Sequence, residues 1–320
     1  PMRILLVKTS SLGDVIHNLP VVSDLKRAHP DATIDWCVEE SFVDIPRLHP
    51  GVAGIIPVAV RRWRKTLGAR ATWREIGEFR RRLAATPYDA VLDTQGLVKS
   101  ALIARQARGV RLGYAAEVAR EPLAARFYDR TFVIAPNAHA VERNRWLAAA
   151  AFDLPAATLG EPPDYGIVAP ASDATWLPPK YAVLFTATSR DDKLWAEESW
   201  VQLAQTLAAR GVNAVLPAGS AVERARAERI AASVAGALVA PPLRLRELAG
   251  VVVGARLAIG VDTGLAHLAT ALGVPTIALF MASDPTLTGV LGRGYCRNLG
   301  ARGRAPTVAE VLTAAQPELR

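Results

Sequence analysis

The chain has 320 residues, of which 51% are hydrophobic and 6% aromatic, with a net charge of +8 and a pI near 9.9. This length exceeds the usual size of a single hydrophobic core, so we expect two domains. No apolar run approaches the ~20 residues that a membrane-spanning helix needs, and no signal-peptide pattern is visible, so we expect a cytoplasmic protein without a transmembrane segment.

The first stretch joins an apolar run to a turn of small residues. Arg3–Val7 predicts a buried parallel strand, and the periodic apolar residues between Val15 and Leu25 predict a helix. Asp14 lies between them, in the first turn of that helix. Because open parallel sheets bind ligands at the carboxyl ends of their strands, this turn is a candidate edge of the active site.

Two interpretations of Asp14 compete. It is either a helix-start carboxylate that bonds to free N–H groups and is stabilised by the helix dipole, or a general base that takes a proton from a substrate hydroxyl. The spacing alone favours the first interpretation, since acidic residues are common at helix starts.

The rest of the first half alternates strands and helices. The predicted strands are Thr33–Val38, Gly54–Val58, Tyr88–Asp93 and Thr131–Ile134, and the predicted helices are Thr72–Leu83, Lys99–Arg105 and His139–Phe152. This alternation predicts an α/β fold with a doubly wound parallel sheet.

A segment rich in proline, between residues 155 and 179, predicts a linker, and we place the domain boundary after residue 165. The alternating pattern then restarts. The predicted strands are Tyr181–Phe185, Asn213–Pro217, Leu257–Val261 and Thr276–Phe280, and the predicted helices are Glu197–Arg210, Leu265–Leu272, one from Val222 and a last one that a Thr307–Glu310 capping box opens. The sequence therefore predicts two Rossmann-like domains, 1–165 and 166–320.

The positive charge is concentrated between Arg61 and Arg82, where nine basic residues stand against two acidic ones, a local excess of +7. Such a field attracts nucleic acid, an anionic membrane or a phosphorylated ligand. The alternative is a solvated basic helix face. That alternative is weak for residues 61–65, because Arg61, Arg62, Arg64 and Lys65 surround one tryptophan without an acidic neighbour.

The second half offers groups that suit a phosphate. There is no GxGxxG, no P-loop motif, no HExxH and no Asp-x-Asp metal handle. Asp262-Thr263-Gly264 instead lies between a strand and a helix that carries His267, where free N–H groups favour an anion. Thr188, Ser189 and Lys193 follow the first strand of the same half. The alternatives are plain helix capping by Asp262 and Thr263 and a core role for His267.

Taken together, six motifs resemble the heptosyltransferases of lipopolysaccharide core assembly. They are Lys8-Thr-Ser-Ser-Leu-Gly-Asp-Val-Ile-His-Asn-Leu-Pro20, Arg61-Arg-Trp-Arg-Lys65, Asp93-Thr-Gln-Gly-Leu-Val-Lys-Ser100, His139-Ala-Val-Glu-Arg143, Thr188-Ser-Arg-Asp-Asp-Lys193 and Asp262-Thr-Gly-Leu-Ala-His267. They occur in the order of that family. The resemblance implies a GT-B architecture, with two Rossmann-like domains facing a cleft and a last helix that packs back on the first domain.

The resemblance also implies an activity: inverting, metal-independent transfer of a heptose from ADP-heptose to Kdo of Kdo-lipid A, with no cofactor. It implies Asp14 as catalytic base, which reverses the preference from spacing, and Lys193 as the second catalytic residue. The implied donor site is Thr188, Ser189, Lys193, Glu223, Asp262, Thr263, Gly264 and His267. The implied acceptor site is Ser11, Gly13, Arg61, Arg62, Arg64, Lys65, Arg120 and His139.

The implied partners are these two substrates and no nucleic acid, and the implied location is the cytoplasmic face of the inner membrane, as a peripheral protein. Ala196, Ala218 and the pair Phe280-Met281 depart from the family pattern, the last two near the expected adenine pocket. Two alternatives stay open. One is transfer of the second or third heptose in the same pathway, and the other is a non-catalytic nucleotide or polyanion binder.

Overall fold

The computed structural model describes residues 1–319, which divide into two compact units at Ile167 and Val168. The predicted boundary lies two residues earlier. Each unit contains a parallel sheet with six strands among the described residues. The predicted α/β class with two doubly wound parallel sheets is confirmed.

The sheet of the first unit has the strand order β3-β2-β1-β4-β5-β6. Its strands are β1 (Arg3–Val7), β2 (Thr33–Glu39), β3 (Val52–Val58), β4 (Pro87–Asp93), β5 (Arg108–Tyr114) and β6 (Arg130–Phe132). Its helices are α1 (Leu12–Ile16), α2 (Leu19–Ala28), α3 (Asp44–Arg47), α4 (Val60–Trp63), α5 (Arg70–Ala85), α6 (Val98–Ala104), α7 (Ala140–Phe152) and α8 (Ala156–Gly160). The central strand β1 is buried on both faces, since Ile4, Leu5, Leu6 and Val7 are each 0% exposed.

The single helix predicted after β1 is two helices, α1 and α2. Proline lacks a backbone N–H, and its ring clashes with the carbonyl four residues earlier when it lies inside a helix. Pro20 therefore cannot continue α1, and it lies instead in the first turn of α2, where its missing N–H costs nothing. The break confines Asp14 to a short helix at the sheet edge.

The sheet of the second unit has the strand order β12-β11-β10-β7-β8-β9. Its strands are β7 (Tyr181–Phe185), β8 (Asn213–Leu216), β9 (Leu238–Val239), β10 (Leu257–Val261), β11 (Thr276–Phe280) and β12 (Cys296–Gly300). Its helices are α9 (Glu197–Ala209), α10 (Ala221–Ala232), α11 (Leu245–Val253), α12 (Gly264–Ala271), α13 (Pro285–Thr288) and α14 (Val308–Ala315).

Alternate residues of β7 enter two separate hydrophobic clusters, so helices cover both faces of this sheet. Ala182 and Leu184 pack with Trp200, while Val183 and Phe185 pack with residues of α11. No helix among residues 1–319 combines the length and the apolar composition that crossing a bilayer requires.

The last helix, α14, packs in the second unit, and the expectation that it also packs on the first domain stays a prediction. Thr307 opens it with the predicted capping box, since its Oγ accepts from the N–H of Glu310 at 3.2 Å and its own N–H donates to that carboxylate at 2.7 Å. Val311 and Ala315 are then 0% exposed within the core of the second unit. The apolar face of α14 is thus buried in its own unit.

Candidate active site

Asp14 lies in the first turn of α1, just beyond the carboxyl end of β1. Its Oδ2 accepts hydrogen bonds from the N–H of Ser11 at 2.9 Å and from the Oγ of Ser11 at 3.0 Å. Its Oδ1 lies 3.6 Å from the guanidinium of Arg120. One carboxylate oxygen of Asp14 therefore accepts hydrogen bonds at the start of the helix, and the other faces a cation. A helix-start role and a role as general base are thus compatible for this residue.

Lys8 is a buried cation in the same pocket. It directly follows β1, is 5% exposed, and donates from Nζ to the carbonyl of Thr94 at 2.9 Å and to Oδ1 of Asn144 at 3.4 Å. The pocket that it lines also includes Asp14 and Arg120. Lys8 was not among the predicted site residues, although a lysine at the end of an otherwise apolar strand is a signal that could have identified it.

Opposing effects set the charge state of this pair. Burial raises the pKa of Asp14, but the charges of Lys8 and Arg120 and the hydrogen bonds from Ser11 outweigh burial and bring that pKa below its ordinary value. Burial lowers the pKa of Lys8 to about 8, against the opposing charge of Asp14. At neutral pH the pocket therefore holds an ionised carboxylate beside a lysine that is still largely protonated.

A second lysine links this pocket to the predicted acceptor cluster. Lys99, at the start of α6, donates to the Oγ of Ser10 at 3.0 Å. Its pKa is lowered by burial and by the charges of Arg61 and Arg64, against the opposing charges of Glu39 and Asp14. The cations Arg61, Arg64 and Lys99 thus act on the electrostatics of the same sheet edge as Asp14. Lys99 falls within a quoted motif but was not among the predicted site residues.

The basic run between residues 61 and 65 contains four exposed cations, and among residues 1–319 only Arg62 of these forms ion pairs. Arg61, Arg64 and Lys65 are exposed, and the guanidinium of Arg61 lies 5.2 Å from the ring centroid of Phe42. Arg62 instead donates to both carboxylate oxygens of Glu40, at 3.0 and 3.1 Å, and lies 2.9 Å from Glu75.

The run has no acidic neighbour in the sequence, but it has two in the folded chain. Glu40 and Glu75 are distant in sequence and reach Arg62 only in the folded chain. Trp63 is also structural, because its indole N–H donates to Glu75 at 3.0 Å and its ring packs against Phe79. Arg62 is consequently a weaker candidate for the acceptor than its three basic neighbours.

Three other predicted acceptor residues lie at the starts of helices α1 and α7. Ser11 and Gly13 flank the start of α1. His139 caps α7, since its Nδ1 accepts from the N–H of Val141 at 3.2 Å, and its ring lies edge-on at 5.8 Å from the buried ring of His17. Capping gives His139 a structural role beside the predicted one.

Asp262 is the centre of the predicted donor site in the second unit. Its Oδ2 accepts hydrogen bonds from Nζ of Lys193 at 2.6 Å and from the Oγ of Ser283 at 2.5 Å. The Oγ of Thr188 donates to the backbone carbonyl of Asp262 at 2.9 Å. Thr263 is the N-cap of α12, which begins at Gly264. Five predicted residues and the unpredicted Ser283 thus meet where β10 ends.

Glu223, Ser189 and His267 complete the predicted donor set. Glu223 lies in the first turn of α10 and accepts the N–H of Gly219 at 2.7 Å. Ser189 is exposed directly after Thr188, and His267 is 6% exposed on α12. Since β7, β8 and β10 are neighbours in this sheet, these residues follow adjacent strands.

The departures from the family pattern have structural roles. Ala196 is the N-cap position of α9. Ala218 and Met281 are partly buried and pack against the core cluster of the second unit. Within residues 1–319, no three His, Cys, Asp or Glu side chains gather as metal ligands.

Comparisons with known proteins agree with this arrangement. The sequence pattern of glycosyltransferase family 9 (heptosyltransferase) matches residues 76–315. Lipopolysaccharide heptosyltransferase 1 of Pseudomonas aeruginosa is 48% identical over 295 residues, which are 91% of this chain and 82% of that protein.

Solved structures match over nearly the whole chain. The Escherichia coli heptosyltransferase WaaC with ADP has a TM-score of 0.90 at 41% identity, with 99% of this chain and 100% of that chain covered. The same enzyme with ADP-2-deoxy-2-fluoro heptose has a TM-score of 0.85 at 40% identity, with 99% and 98% covered.

Proposed function

The chain belongs to glycosyltransferase family 9, the heptosyltransferases, and we propose that it transfers L-glycero-D-manno-heptose from ADP-heptose to Kdo of Kdo-lipid A. The carboxylate of Asp14 just beyond β1, 3.6 Å from the guanidinium of Arg120 and in one pocket with Lys8, is the observation that carries the mechanism. The high identity to proteins named heptosyltransferase 1 supports the first transfer over the second or third.

The donor is proposed to bind at the Asp262 edge of the second unit. The relative's structures with ADP and with a fluorinated ADP-heptose support a nucleotide-sugar donor. The N-terminus of α12 offers free N–H groups and a positive dipole end to the diphosphate. Lys193 adds a cation there, and Thr188 and Ser189 add hydroxyls.

Chemistry then needs a proton acceptor and stabilisation of the leaving group. Asp14 accepts the proton of the acceptor hydroxyl as the oxygen attacks the anomeric carbon. The bond from that carbon to the diphosphate oxygen breaks, and its electron pair leaves with ADP, so the configuration inverts. A low pKa makes Asp14 a weak base but keeps it ionised, which suits proton transfer concerted with attack.

Lys193 and the α12 N-terminus are proposed to stabilise the charge that grows on the leaving diphosphate, an electrostatic form of catalysis. To do so, Lys193 moves its Nζ from Asp262 to a phosphate oxygen. With this cation and this helix end in place, we propose a reaction without metal or other cofactor.

The acceptor is proposed to bind around Asp14. Arg61, Arg64, Lys65 and Arg120 suit the phosphates and carboxylates of Kdo-lipid A, because guanidinium and ammonium groups form strong charge-assisted hydrogen bonds with such anions. Since the lipid part of this acceptor resides in a bilayer, we also propose a peripheral location on the cytoplasmic face of the inner membrane.

The experiment that tests the function is incubation with ADP-heptose and deacylated Kdo-lipid A, with detection of ADP and of the extended saccharide. The proposal predicts both products in equal amounts, and neither when the acceptor is omitted. ADP-heptose that binds without turnover would instead favour the non-catalytic nucleotide binder. Turnover only with an acceptor that already carries a heptose would favour a later transfer.

A further inference from the structure

Helix α5 presents a stripe of arginines away from the core. The helix buries Thr72, Phe79 and Leu83 on one side. Residues four and eleven positions apart lie on one face of a helix, so Arg70, Arg74 and Arg81 form a stripe on the opposite side; Arg80 lies on its flank. All four are exposed, and within residues 1–319 none of them makes an ion pair.

Acidic residues do little to neutralise this stripe. The carboxylate of Glu75 is already engaged by Arg62 at 2.9 Å and by the indole of Trp63 at 3.0 Å. Glu78 is the other acid of α5. The arginine stripe therefore keeps an excess of positive charge, which would attract an anionic surface.

Large apolar side chains lie beside the arginines. Trp73 is 60% exposed, Leu67 is 52% exposed and Leu102, on α6, is 42% exposed. The indole N–H of Trp73 donates to the carbonyl of Leu67 at 2.8 Å, so the polar atom of the ring is satisfied within the chain. The rest of this ring can then enter an apolar phase without leaving its N–H unpaired.

The arginines and the apolar side chains share one surface. Arg80 and Arg81 of α5 line a groove with Arg105 and Leu102 of α6. We define the α5 surface as Leu67, Arg70, Trp73, Arg74, Arg80 and Arg81. Exposed cations interleaved with tryptophan and leucine match the composition of segments that lie at a bilayer interface.

We propose that the α5 surface docks the protein on an anionic phospholipid bilayer. Its arginines contact lipid phosphates, and Trp73 and Leu67 enter the headgroup region. This inference deepens the proposed membrane location and rests on it for the choice of partner. A nucleic acid fits less well, because single-stranded binders stack successive bases on several aromatic rings and this surface exposes one.

The test is flotation of the full chain with vesicles of phosphatidylethanolamine and phosphatidylglycerol, and with vesicles of phosphatidylcholine alone. We expect binding to the anionic vesicles that falls as salt is raised. The variant Arg74→Gln/Arg80→Gln/Arg81→Gln should partition on the order of 10²-fold less, because each basic residue at an anionic surface contributes roughly a factor of five. Trp73→Gln should weaken the salt-resistant part of binding.

The matched control is Lys180→Gln/Arg210→Gln/Arg246→Gln, which removes the same charge from exposed positions of the second unit. It should bind vesicles like the unmodified chain. Equal losses in both triple variants would mean that net charge alone drives binding, and would overturn the α5 surface. The proposal would also be overturned if the chain bound a random DNA duplex more tightly than anionic vesicles and the α5 variant abolished this DNA binding.

Turnover separates this inference from the proposed function. The α5 variant should keep its melting temperature and its turnover on the deacylated acceptor, because its three arginines lie outside the proposed site. If the unmodified chain does not bind anionic vesicles yet turns over the deacylated acceptor, the docking surface is wrong and the function stands. If it binds vesicles and transfers no heptose, the function is wrong.

Discussion

The Nζ of Lys193 lies 2.6 Å from Oδ2 of Asp262, so the cation proposed for the donor diphosphate is paired with a carboxylate in the free protein. Ser283 donates to the same oxygen at 2.5 Å. In the proposed donor complex, where Lys193 turns to a phosphate, the hydroxyl of Ser283 would stay with the carboxylate of Asp262 and limit the cost of leaving that carboxylate without a partner. The proposed donor site therefore couples donor binding to the breaking of one ion pair.

Lys193→Ala should lose far more kcat than donor affinity, because the charge on the leaving group is greatest at the transition state. We expect a loss of roughly 10²–10³-fold in kcat, as for removal of one oxyanion donor. Steady-state kinetics and ADP titration measure the two effects. Retained turnover, or activity of the unmodified chain that EDTA abolishes, would contradict the proposed role.

Variants of the basic run between residues 61 and 65 should fall into two classes. Removal of charge at Arg61, Arg64 and Lys65 together should raise the acceptor KM and leave ADP binding unchanged, with a weaker salt dependence of acceptor binding. Arg62→Gln is the matched control: it breaks the ion pairs with Glu40 and Glu75 and should lower the melting temperature slightly, with little effect on KM. A fall in donor affinity in the triple variant would place the cluster on the donor side.

Lys8→Met should shift the acidic limb of the pH profile of kcat/KM to higher pH. As the proposed base, Asp14 would act only when it is ionised, and its lowered pKa keeps it ionised down to pH values below its ordinary ~4. Loss of the Lys8 charge removes the main opposing effect to burial, so the pKa of Asp14 rises and activity falls at a higher pH. An unchanged limb in a folded Lys8→Met protein would show that Lys8 does not act through Asp14.

In the unmodified chain, deprotonation of Lys8 beside Asp14 should produce no basic limb in the pH profile of kcat/KM. Lys8 loses its proton near its pKa of about 8, but Asp14 is ionised at that pH with or without the neighbouring charge. Activity that depends on Asp14 should therefore continue through pH 8. A sharp loss at that pH would indicate that protonated Lys8 contacts substrate directly.

Arg145→Met should destabilise the first unit without a direct effect on chemistry. Arg145 is 3% exposed and holds the 1% exposed carboxylate of Asp24 with hydrogen bonds of 2.7 and 3.2 Å. Removal of one partner of a buried ion pair leaves an uncompensated charge and costs about 3–5 kcal/mol. Thermal unfolding measures this loss. Arg27→Met, which removes the exposed and more distant partner at 3.8 Å, should cost far less.

The sequence predicted the buried strands because continuous apolar runs such as Arg3–Val7 and Leu257–Val261 belong to sheets covered on both faces. It did not predict β5, β12 or the two-residue β9. Arg108–Tyr114 carries two arginines and two glycines, and Cys296–Gly300 is a polar edge strand, so neither shows an apolar run.

Candidate site residues that belong to a local sequence pattern could be predicted, and those that depend on contacts distant in sequence could not. The positions of Asp14 and Asp262 follow from single strand-to-helix turns. Lys99 and Ser283 reach the site across 89 and 21 residues, to Ser10 and Asp262, and no local pattern indicates such contacts. The pairing of Arg62 likewise depends on Glu40, which is 22 residues away.

The measurement that bears most directly on the mechanism is turnover of Asp14→Asn on ADP-heptose and deacylated Kdo-lipid A. Asparagine keeps the shape and an oxygen for the hydrogen bonds from Ser11, and removes the basicity. We predict a folded protein with a near-normal melting temperature, normal ADP-heptose binding and turnover reduced at least ~10²-fold, the lower end for a lost general base. Turnover that is largely retained, together with a modest loss of stability, would leave Asp14 as a helix-start residue only and would contradict its role as the base.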